Sequence, residues 1–147
     1  MDIIKFYSVN NEYGEFSNFA LYKIRIKGKT WLTSEHYFQA MKFTNKKDQD
    51  EIRKAKSPMI AARKGRDRKR KLRKDWESIK ENIMYEAIYA KFTQHEELKK
   101  LLLLTKDAKL IEHTLNDSYW GDGGGKGKNR LGYLLMKLRD ELRSKKL

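Results

Sequence analysis

A mainly helical α+β fold, with a small β-element near the N-terminus, is predicted for this sequence as one domain over residues 1–147. Short segments of alternating, β-prone residues occur before residue 33, and apolar residues recur at helical spacing through most of the chain beyond it. No internal repeat and no linker divides the chain, and 147 residues suit one domain with a sizeable core.

The predicted β-element consists of three short strands. The segment Ile3 to Ser8 alternates and carries β-forming residues, and Leu21 to Ile26 has the same character. A polar loop at 9–18 joins them. Lys27-Gly28-Lys29 makes the turn into a third strand at 30–32.

The first predicted helix runs from Glu35 to about Thr44, because Ser34 is a favourable N-cap and no Gly or Pro interrupts the segment. At about 100° per residue, Glu35, Gln39 and Lys42 lie on one narrow stripe, and apolar side chains cover most of the remaining circumference. Such a helix belongs in the core, where charges need partners or a ligand. Glu35 and Lys42 therefore either line a pocket or pair with core charges as structural elements.

Capping residues and periodicity predict the remaining elements. Ser57 before Pro58 starts a helix that Gly65 ends, and Asp75 caps a long one. The elements are a helix at 50–56, a helix at 58–65, a helix at 76–93, a helix at 96–104, an extended segment at 110–113, and a last helix capped by Asn129.

The composition excludes several classes of site. The chain has no cysteine, so disulfides, thiol nucleophiles and cysteine metal sites are absent. Its histidines, His36, His95 and His113, lack metal-ligand spacing, so we expect neither a metal nor another cofactor. No stretch is long and apolar enough to cross a membrane, and residues 1–5 lack signal-peptide features. We therefore expect a cytoplasmic protein with no membrane partner.

The formal charge of +14 is unevenly distributed. Residues 42–80 contain 16 Lys and Arg against 6 Asp and Glu, and residues 126–147 contain 8 against 2. A field of this kind favours anionic partners such as phosphates, nucleotides or nucleic acid. The alternative is an ordinary solvated surface rich in lysine.

A glycine-rich stretch, residues 116–129, contains five of the nine glycines and leads into the last helix. It is not a Walker A loop, because Asp122 stands where glycine is required and Asn129 replaces Ser or Thr. Backbone N–H groups at such a junction can hold a phosphate, although composition alone favours a flexible surface loop. Asp117 beside Trp120 favours a ligand with a ring and a sugar.

Three carboxylates, Glu35, Glu112 and Asp117, are candidates for acid–base chemistry. Two carboxylates flanking a glycosidic bond can protonate the leaving group and stabilise an oxocarbenium-like state. A desolvated lysine such as Lys42 can instead attack the sugar C1 and form a Schiff base. The spacing does not distinguish these mechanisms.

Motifs along nearly the whole chain carry a family resemblance. They are Glu15-Phe16-Ser17-Asn18-Phe19, Trp31, Ser34 to Ala40 with Lys42-Phe43, Ala62 with Gly65-Arg66, Asp75-Trp76, Lys91-Phe92, Glu112, Asp117 to Gly121, Gly127, Asn129, Leu131-Gly132 and Leu134-Leu135-Met136. Together they resemble the YbiA-like, or NADAR, family. The resemblance implies a mainly helical fold and an N-glycosidase activity.

The resemblance also implies roles for individual residues. Glu35 and Asp117 would be acid–base or electrostatic residues, and Lys42 the candidate nucleophile. The implied substrate contacts are Asn18, Trp31, Gln39, Arg66, Trp120, Gly121 and Asn129. We expect Glu35, Lys42, Asp117 and Trp120 to converge on one cleft. Where Thr-Gly-Asp is expected, the chain has Thr105-Lys106-Asp107, which implies a changed turn without loss of activity.

Single-domain members of the family are associated with ribosylamine intermediates of riboflavin biosynthesis, and other members remove ADP-ribose from guanine. The expected function is hydrolysis of the C1–amine bond of a phosphorylated ribosylamine. One alternative is an ADP-ribosyl-guanine glycohydrolase, for which nucleic acid is a partner if the guanine lies in DNA. A second is a basic nucleotide- or nucleic-acid-binding module without catalysis. The sequence does not set the oligomeric state.

Overall fold

The computed structural model describes residues 2–145, and within this range the chain forms six α-helices and four short strands. The predicted mainly helical α+β class is confirmed. The described residues form two compact units. The terminal unit combines the residues up to Ala20 with those from His95 onward, and the central unit comprises Leu21–Gln94. The assignment of residues 1–147 to one domain stays a prediction.

The elements have the following bounds. The strands are β1 (Ile3–Phe6), β2 (Ile24–Ile26), β3 (Lys29–Trp31) and β4 (Lys109–Glu112). The helices are α1 (Ser34–Ala40), α2 (Lys46–Arg53), α3 (Pro58–Gly65), α4 (Trp76–Gln94), α5 (Glu96–Leu104) and α6 (Arg130–Ser144). No helix in the range 2–145 is both long and apolar enough to span a membrane.

The terminal unit is built on a parallel pair of strands, β1 and β4, with Ile3 opposite Lys109 and Phe6 opposite Glu112. Helix α6 packs against β4, and α5 packs against α6. Gly132 makes this close approach sterically feasible, because a Cβ there would overlap the Leu110 carbonyl oxygen.

Asn129 precedes α6 as predicted, but it does not cap the helix through its side chain. Its backbone is left-handed, with φ 51°, and the buried amide turns towards β4. Its Oδ1 accepts a hydrogen bond from Glu112 N at 2.9 Å, and its Nδ2 donates to Leu110 O at 2.9 Å. Asn129 therefore joins the start of α6 to the edge of β4.

The central unit is organised around α1. All seven of its residues are buried, and it packs against α2, α3 and α4, so the predicted core helix is confirmed. Strands β2 and β3 form an antiparallel hairpin whose turn residues, Lys27 and Gly28, have φ of 57° and 77°. Positive φ at both positions is the geometry of a tight two-residue hairpin turn.

Helix α1 is shorter than predicted: it ends at Ala40 and not near Thr44. The carbonyl of Lys42 accepts a hydrogen bond from Arg73 N at 2.9 Å. The carbonyl of Phe43 accepts one from Gln49 Nε2 at 2.7 Å. These partners from outside the segment hold the backbone after α1 in a non-helical path.

Helix α2 begins at Lys46, four residues before the predicted start at 50. Its N-cap is Asn45, whose Oδ1 accepts hydrogen bonds from Lys47 N at 2.8 Å and Asp48 N at 3.4 Å. An Asn at this position is a strong helix start. The predicted helix at 50–56 was therefore placed too late in the chain, and its bounds were wrong.

The turn after α5 contains the departure from the family pattern. Lys106 has φ 54°, in the left-handed region that glycine adopts most readily. Lys106 therefore adopts a backbone conformation that suits the glycine expected at this position.

Candidate active site

Helix α1 begins on a side-chain cap. Thr33 is the N-cap, and its Oγ1 accepts a hydrogen bond from His36 N at 3.2 Å, so Ser34 is the first helical residue and not the cap that was predicted. Glu35 therefore lies in the first turn. A carboxylate is favoured there by the partial positive charge of the helix N-terminus.

Glu35 is held by Gln39 from the next turn of α1. Gln39 Nε2 donates a hydrogen bond to Glu35 Oε2 at 2.7 Å, and the two residues are only 7% and 3% exposed. A hydrogen bond to a buried carboxylate is strong and directional. It fixes the orientation of one oxygen of Glu35.

The other end of the Gln39 amide is set by Gly65, the last residue of α3. Gln39 Oε1 is buried and has no hydrogen-bond partner among residues 2–145. A Cβ at Gly65 would overlap this oxygen, so glycine is what allows α3 to approach α1 here. Gly65 thereby confines the amide that orients Glu35. The sequence marked Gly65 only as a helix end, since glycine is expected there in any case.

Lys42 lies in the turn that follows α1 and is half-buried. Its Nζ is 5.9 Å from the centroid of the Phe38 ring. Burial lowers the pKa of Lys42, the Glu35 carboxylate raises it, and the Arg66 cation lowers it, so that the pKa lies below its ordinary 10.5. A larger fraction of the free amine therefore exists near neutral pH than for an exposed lysine.

His36 supports α1 and shows no catalytic arrangement. Its Nε2 lies 3.0 Å from Ala55 O, and its Nδ1 lies 2.7 Å from Thr33 Oγ1. Burial lowers the pKa of His36, and the hydrogen bond to Ala55 only partly offsets this. Because a carbonyl can only accept, the proton is on Nε2, and the neutral ring accepts from Thr33 at Nδ1.

Trp31 is buried beneath α1 and is 2% exposed. Its ring meets Tyr37 edge to face at 5.1 Å, and its Nε1 donates to Ile26 O at 3.2 Å. Tyr37 donates a short hydrogen bond to Glu86. Burial and this bond both raise the pKa of the Tyr37 hydroxyl, and burial has the larger effect. Trp31 therefore has a packing role in the core. Contact between Trp31 and a substrate stays a prediction.

In the terminal unit, Asp117 shapes the turn that carries Trp120. Its Oδ1 accepts hydrogen bonds from Tyr119 N at 2.9 Å and from Trp120 N at 2.8 Å. The rings of Tyr119 and Trp120 meet edge to face at 4.9 Å, and both are half-buried. Asp117 therefore fixes the backbone beneath these two aromatic side chains.

Asp122 organises the glycine-rich loop, a role that sequence reasoning missed. Its Oδ1 accepts from Thr114 N at 3.0 Å and from Gly124 N at 3.1 Å, and its Oδ2 lies 2.6 Å from His113 Nδ1. Burial would raise the pKa of Asp122, but the hydrogen bonds from His113, Thr114 and Gly124 outweigh it and hold the pKa below 3.8. The sequence signal for this role was the position of Asp122 directly before three glycines.

The junction between this loop and α6 uses its own N–H groups. Four successive amides donate to loop carbonyls: Lys128 N to Ser118 O, Asn129 N to Gly121 O, Arg130 N to Tyr119 O and Leu131 N to Trp120 O, at 2.7–3.0 Å. These four groups already donate to carbonyls, so they are not available to hold a phosphate, which was one of the two interpretations of this stretch. A Cβ at Gly121 would lie 2.9 Å from the Glu112 and Asp117 carbonyl oxygens, so this glycine permits close backbone packing.

The structure brings four of the predicted site residues together in the central unit: Glu35, Gln39, Lys42 and Arg66, the last exposed after α3. Trp31 also lies in the central unit, and the terminal unit carries Asn18, Asp117, Trp120, Gly121 and Asn129, of which Asn18 is 8% exposed. Whether the two sets form one cleft stays a prediction. Within residues 2–145, no three His, Asp or Glu side chains are grouped closely enough to hold a metal ion.

Comparison with known proteins matches residues 5–143 to the NADAR domain family. The chain is 64% identical to N-glycosidase YbiA of Escherichia coli (strain K12) over 141 residues, 95% of this chain and 88% of that protein. The NMR structure of the E. coli protein YbiA has a TM-score of 0.92 at 63% identity, covering 99% of this chain and 87% of that chain. The riboflavin biosynthesis protein PYRR, chloroplastic, of Zea mays is 43% identical over 96% of this chain and 25% of the maize protein.

Proposed function

Because the chain belongs to the NADAR family, as its motifs predicted, we propose that it is an N-glycosidase. Its reaction is hydrolysis of the bond between C1 of a phosphorylated ribose and an amine. The 64% identity to an E. coli protein named N-glycosidase over nearly the whole chain supports the reaction type. The riboflavin name of the maize relative supports a ribosylamine of that pathway as the substrate.

The single observation that carries this proposal is the arrangement around α1. A buried carboxylate, Glu35, is oriented by Gln39 at 2.7 Å, and its charge acts on Lys42, whose pKa is depressed mainly by burial. Cleavage of an N-glycosidic bond needs proton transfer to the leaving amine and stabilisation of an electron-poor C1. These side chains supply a proton carrier and a nucleophilic amine.

In the proposed mechanism, Glu35, in its carboxylic acid form, donates its proton to the ring oxygen as the sugar opens to an iminium ion at C1. The free amine of Lys42 adds to C1, and the Glu35 carboxylate carries the proton from the new ammonium to the leaving nitrogen. The C1–nitrogen bond to the leaving amine then breaks. The product is a Schiff base on Lys42. Water then adds to C1, releases the sugar phosphate as an aldehyde, and returns the amine of Lys42.

An oxocarbenium-like route is the alternative for the same reaction. It assigns Glu35 and Asp117 to leaving-group protonation and charge stabilisation, with Lys42 as a cation that contacts the substrate. We favour the lysine route, because an N-linked ribose opens to an imine and the pKa of Lys42 is lowered by burial.

A substrate comparison tests the proposed function. The protein is incubated separately with ribosylaminopyrimidine phosphates and with guanine oligonucleotides that carry ADP-ribose, and the products are identified by mass spectrometry. We expect ribose 5-phosphate and the free aminopyrimidine from the first set. Release of ADP-ribose from the second set alone would replace the ribosylamine with ADP-ribosyl-guanine as the substrate.

The salt dependence of nucleic-acid binding distinguishes the two proposed enzymatic functions from a binding module without catalysis. A protein that binds nucleic acid through its charge loses affinity steeply as salt rises. Turnover of a small ribosylamine should change little when duplex DNA is added. If neither product is released and duplex DNA binds tightly and in a salt-sensitive manner, the N-glycosidase proposal is refuted.

A further inference from the structure

We propose that the basic cavity at the C-terminal end of α3 binds the phosphate group of the substrate, a phosphate monoester carried by a small sugar. The inference rests on the proposed function, because it assigns the anionic part of that substrate to particular residues. The cavity has a volume of about 510 Å³ and is lined by Arg63, Lys64, Arg66, Asp67 and Arg70. It is an open depression on the protein surface and not an enclosed pocket.

Three of the lining cations make no close ion pair with a carboxylate among the described residues, although Lys64 acts electrostatically on Glu51. Within the described range 2–145, Arg63, Lys64 and Arg66 form no ion pair. The lining carboxylate, Asp67, accepts a hydrogen bond from Lys69 N at 2.9 Å. Three cations against one carboxylate complement a phosphate monoester, which carries about −1.5 to −2 charges at pH 7.

Arg70 gives the cavity a fixed wall. Its Nη1 pairs with Asp48 at 2.6 Å and its Nη2 with Glu51 at 2.7 Å, and its side chain is only 13% exposed. A guanidinium held by two carboxylates keeps one orientation, unlike the exposed side chains of an ordinary basic surface. One side of the cavity is therefore fixed by Arg70, whereas Arg63, Arg66 and Asp67 are exposed.

The position of Arg66 connects this cavity to the proposed chemistry. After burial and the opposing effect of Glu35, the Arg66 cation is the third influence on the pKa of Lys42, so the two side chains share one electrostatic environment. Arg66 therefore links the lining of this cavity to the electrostatic environment of Lys42.

Two observations favour a small phosphorylated sugar over a polynucleotide. All lining residues come from the single stretch 63–70, which forms one cavity, whereas a strand of nucleic acid needs a groove that follows its backbone. The neighbouring cations Lys71 and Lys74 are exposed and do not line the cavity. They provide a matched control with the same charge.

The test measures binding of ribose 5-phosphate to the full chain by isothermal titration calorimetry, with ribose as the probe that lacks phosphate. The double variant R63Q/K64Q is compared with K71Q/K74Q, which removes the same two charges. We expect R63Q/K64Q to weaken ribose 5-phosphate binding at least tenfold, K71Q/K74Q to change it less than twofold, and ribose binding to be unaffected by either. Thermal unfolding of both variants confirms that they fold.

An equal loss of ribose 5-phosphate affinity in the two double variants would show that a diffuse positive field binds the phosphate. Unchanged affinity in both variants would show that the phosphate binds elsewhere. Either result overturns the proposed subsite. Loss of duplex DNA binding in R63Q/K64Q with unchanged ribose 5-phosphate binding would make the cavity part of a nucleic-acid surface instead. The assay needs no turnover. A protein that binds as expected but releases no amine retains the subsite and loses the proposed function.

Discussion

Gln39 Nε2 donates a hydrogen bond to Glu35 Oε2 at 2.7 Å across one turn of α1, and both residues are buried. Gln39 itself is confined by Gly65 of the neighbouring helix α3. The orientation of the proposed proton carrier therefore depends on a contact between two helices. This relationship leads to predictions that separate orientation from charge.

Removal of the amide should impair catalysis more than binding. We expect Gln39→Ala to lower kcat about 10- to 100-fold with little change in KM, because a misplaced catalytic group loses proton-transfer geometry. Steady-state kinetics on the ribosylamine substrate provide the measurement. Unchanged kcat in Gln39→Ala would show that the hydrogen bond to Glu35 has no part in the reaction.

A methyl group at Gly65 should act through the same amide. We expect Gly65→Ala to destabilise the protein by about 1–3 kcal/mol through overpacking and to lower kcat, because Gln39 must move. Gly28→Ala is the matched control. Gly28 has φ 77° and open space around it, so its substitution should cost stability while kcat stays unchanged. Equal kcat in both variants would contradict the account.

The depressed pKa of Lys42 predicts the direction of a pH effect. If the free amine attacks C1, kcat/KM should rise with pH through the pKa of Lys42, which lies below 10.5. The measurement is a pH profile of kcat/KM at constant ionic strength. A profile without a rising limb in this range would argue against an amine nucleophile.

Asp122 should make the stability of the protein dependent on pH. Its folded pKa lies below 3.8, so its ionised form stabilises the fold above that value, and the contribution is lost as the pH falls through the folded pKa. We expect Asp122→Asn to destabilise by about 1–3 kcal/mol at pH 7. In urea unfolding, the difference from the unmodified protein should shrink towards pH 3, and a constant difference would be the contrary result.

Lys106 provides a stability test outside the proposed site. Its left-handed backbone, φ 54°, is unfavourable for a side chain with a Cβ and natural for glycine. We expect Lys106→Gly to raise the free energy of unfolding by up to about 1 kcal/mol and to leave kcat unchanged. Lower stability in this variant would mean that the lysine side chain makes a compensating contact.

Local signals in the sequence were sufficient to predict some elements. Helix α3 begins and ends where the Ser57-Pro58 start and Gly65 placed it, since caps and glycine act within one turn. The end of α1 could not be predicted, because it depends on Arg73 N bonding to the Lys42 carbonyl from 31 positions further along the chain. Distant partners of this kind leave no local pattern.

The candidate site was predicted in the same uneven way. Helical spacing predicted a stripe of Glu35, Gln39 and Lys42. In the structure Glu35 and Gln39 lie one turn apart on α1 and are hydrogen-bonded, whereas Lys42 lies in the turn after α1 and has a lowered pKa. The contact between Gly65 and Gln39 joins two helices, and the role of Asp122 arises from a folded loop. The contact at Gly65 is not visible without tertiary structure, and for Asp122 the sequence shows only that a carboxylate precedes glycines.

Trapping of a covalent intermediate tests the central claim most directly. The protein is incubated with the ribosylamine phosphate and cyanoborohydride during turnover, and peptides are mapped by mass spectrometry, with Lys42→Arg as the variant that keeps the charge. We predict a reduced sugar phosphate on Lys42 of the unmodified protein, and neither adduct nor turnover in Lys42→Arg. Substantial kcat in Lys42→Arg with no trapped adduct in either protein would contradict the Schiff-base mechanism.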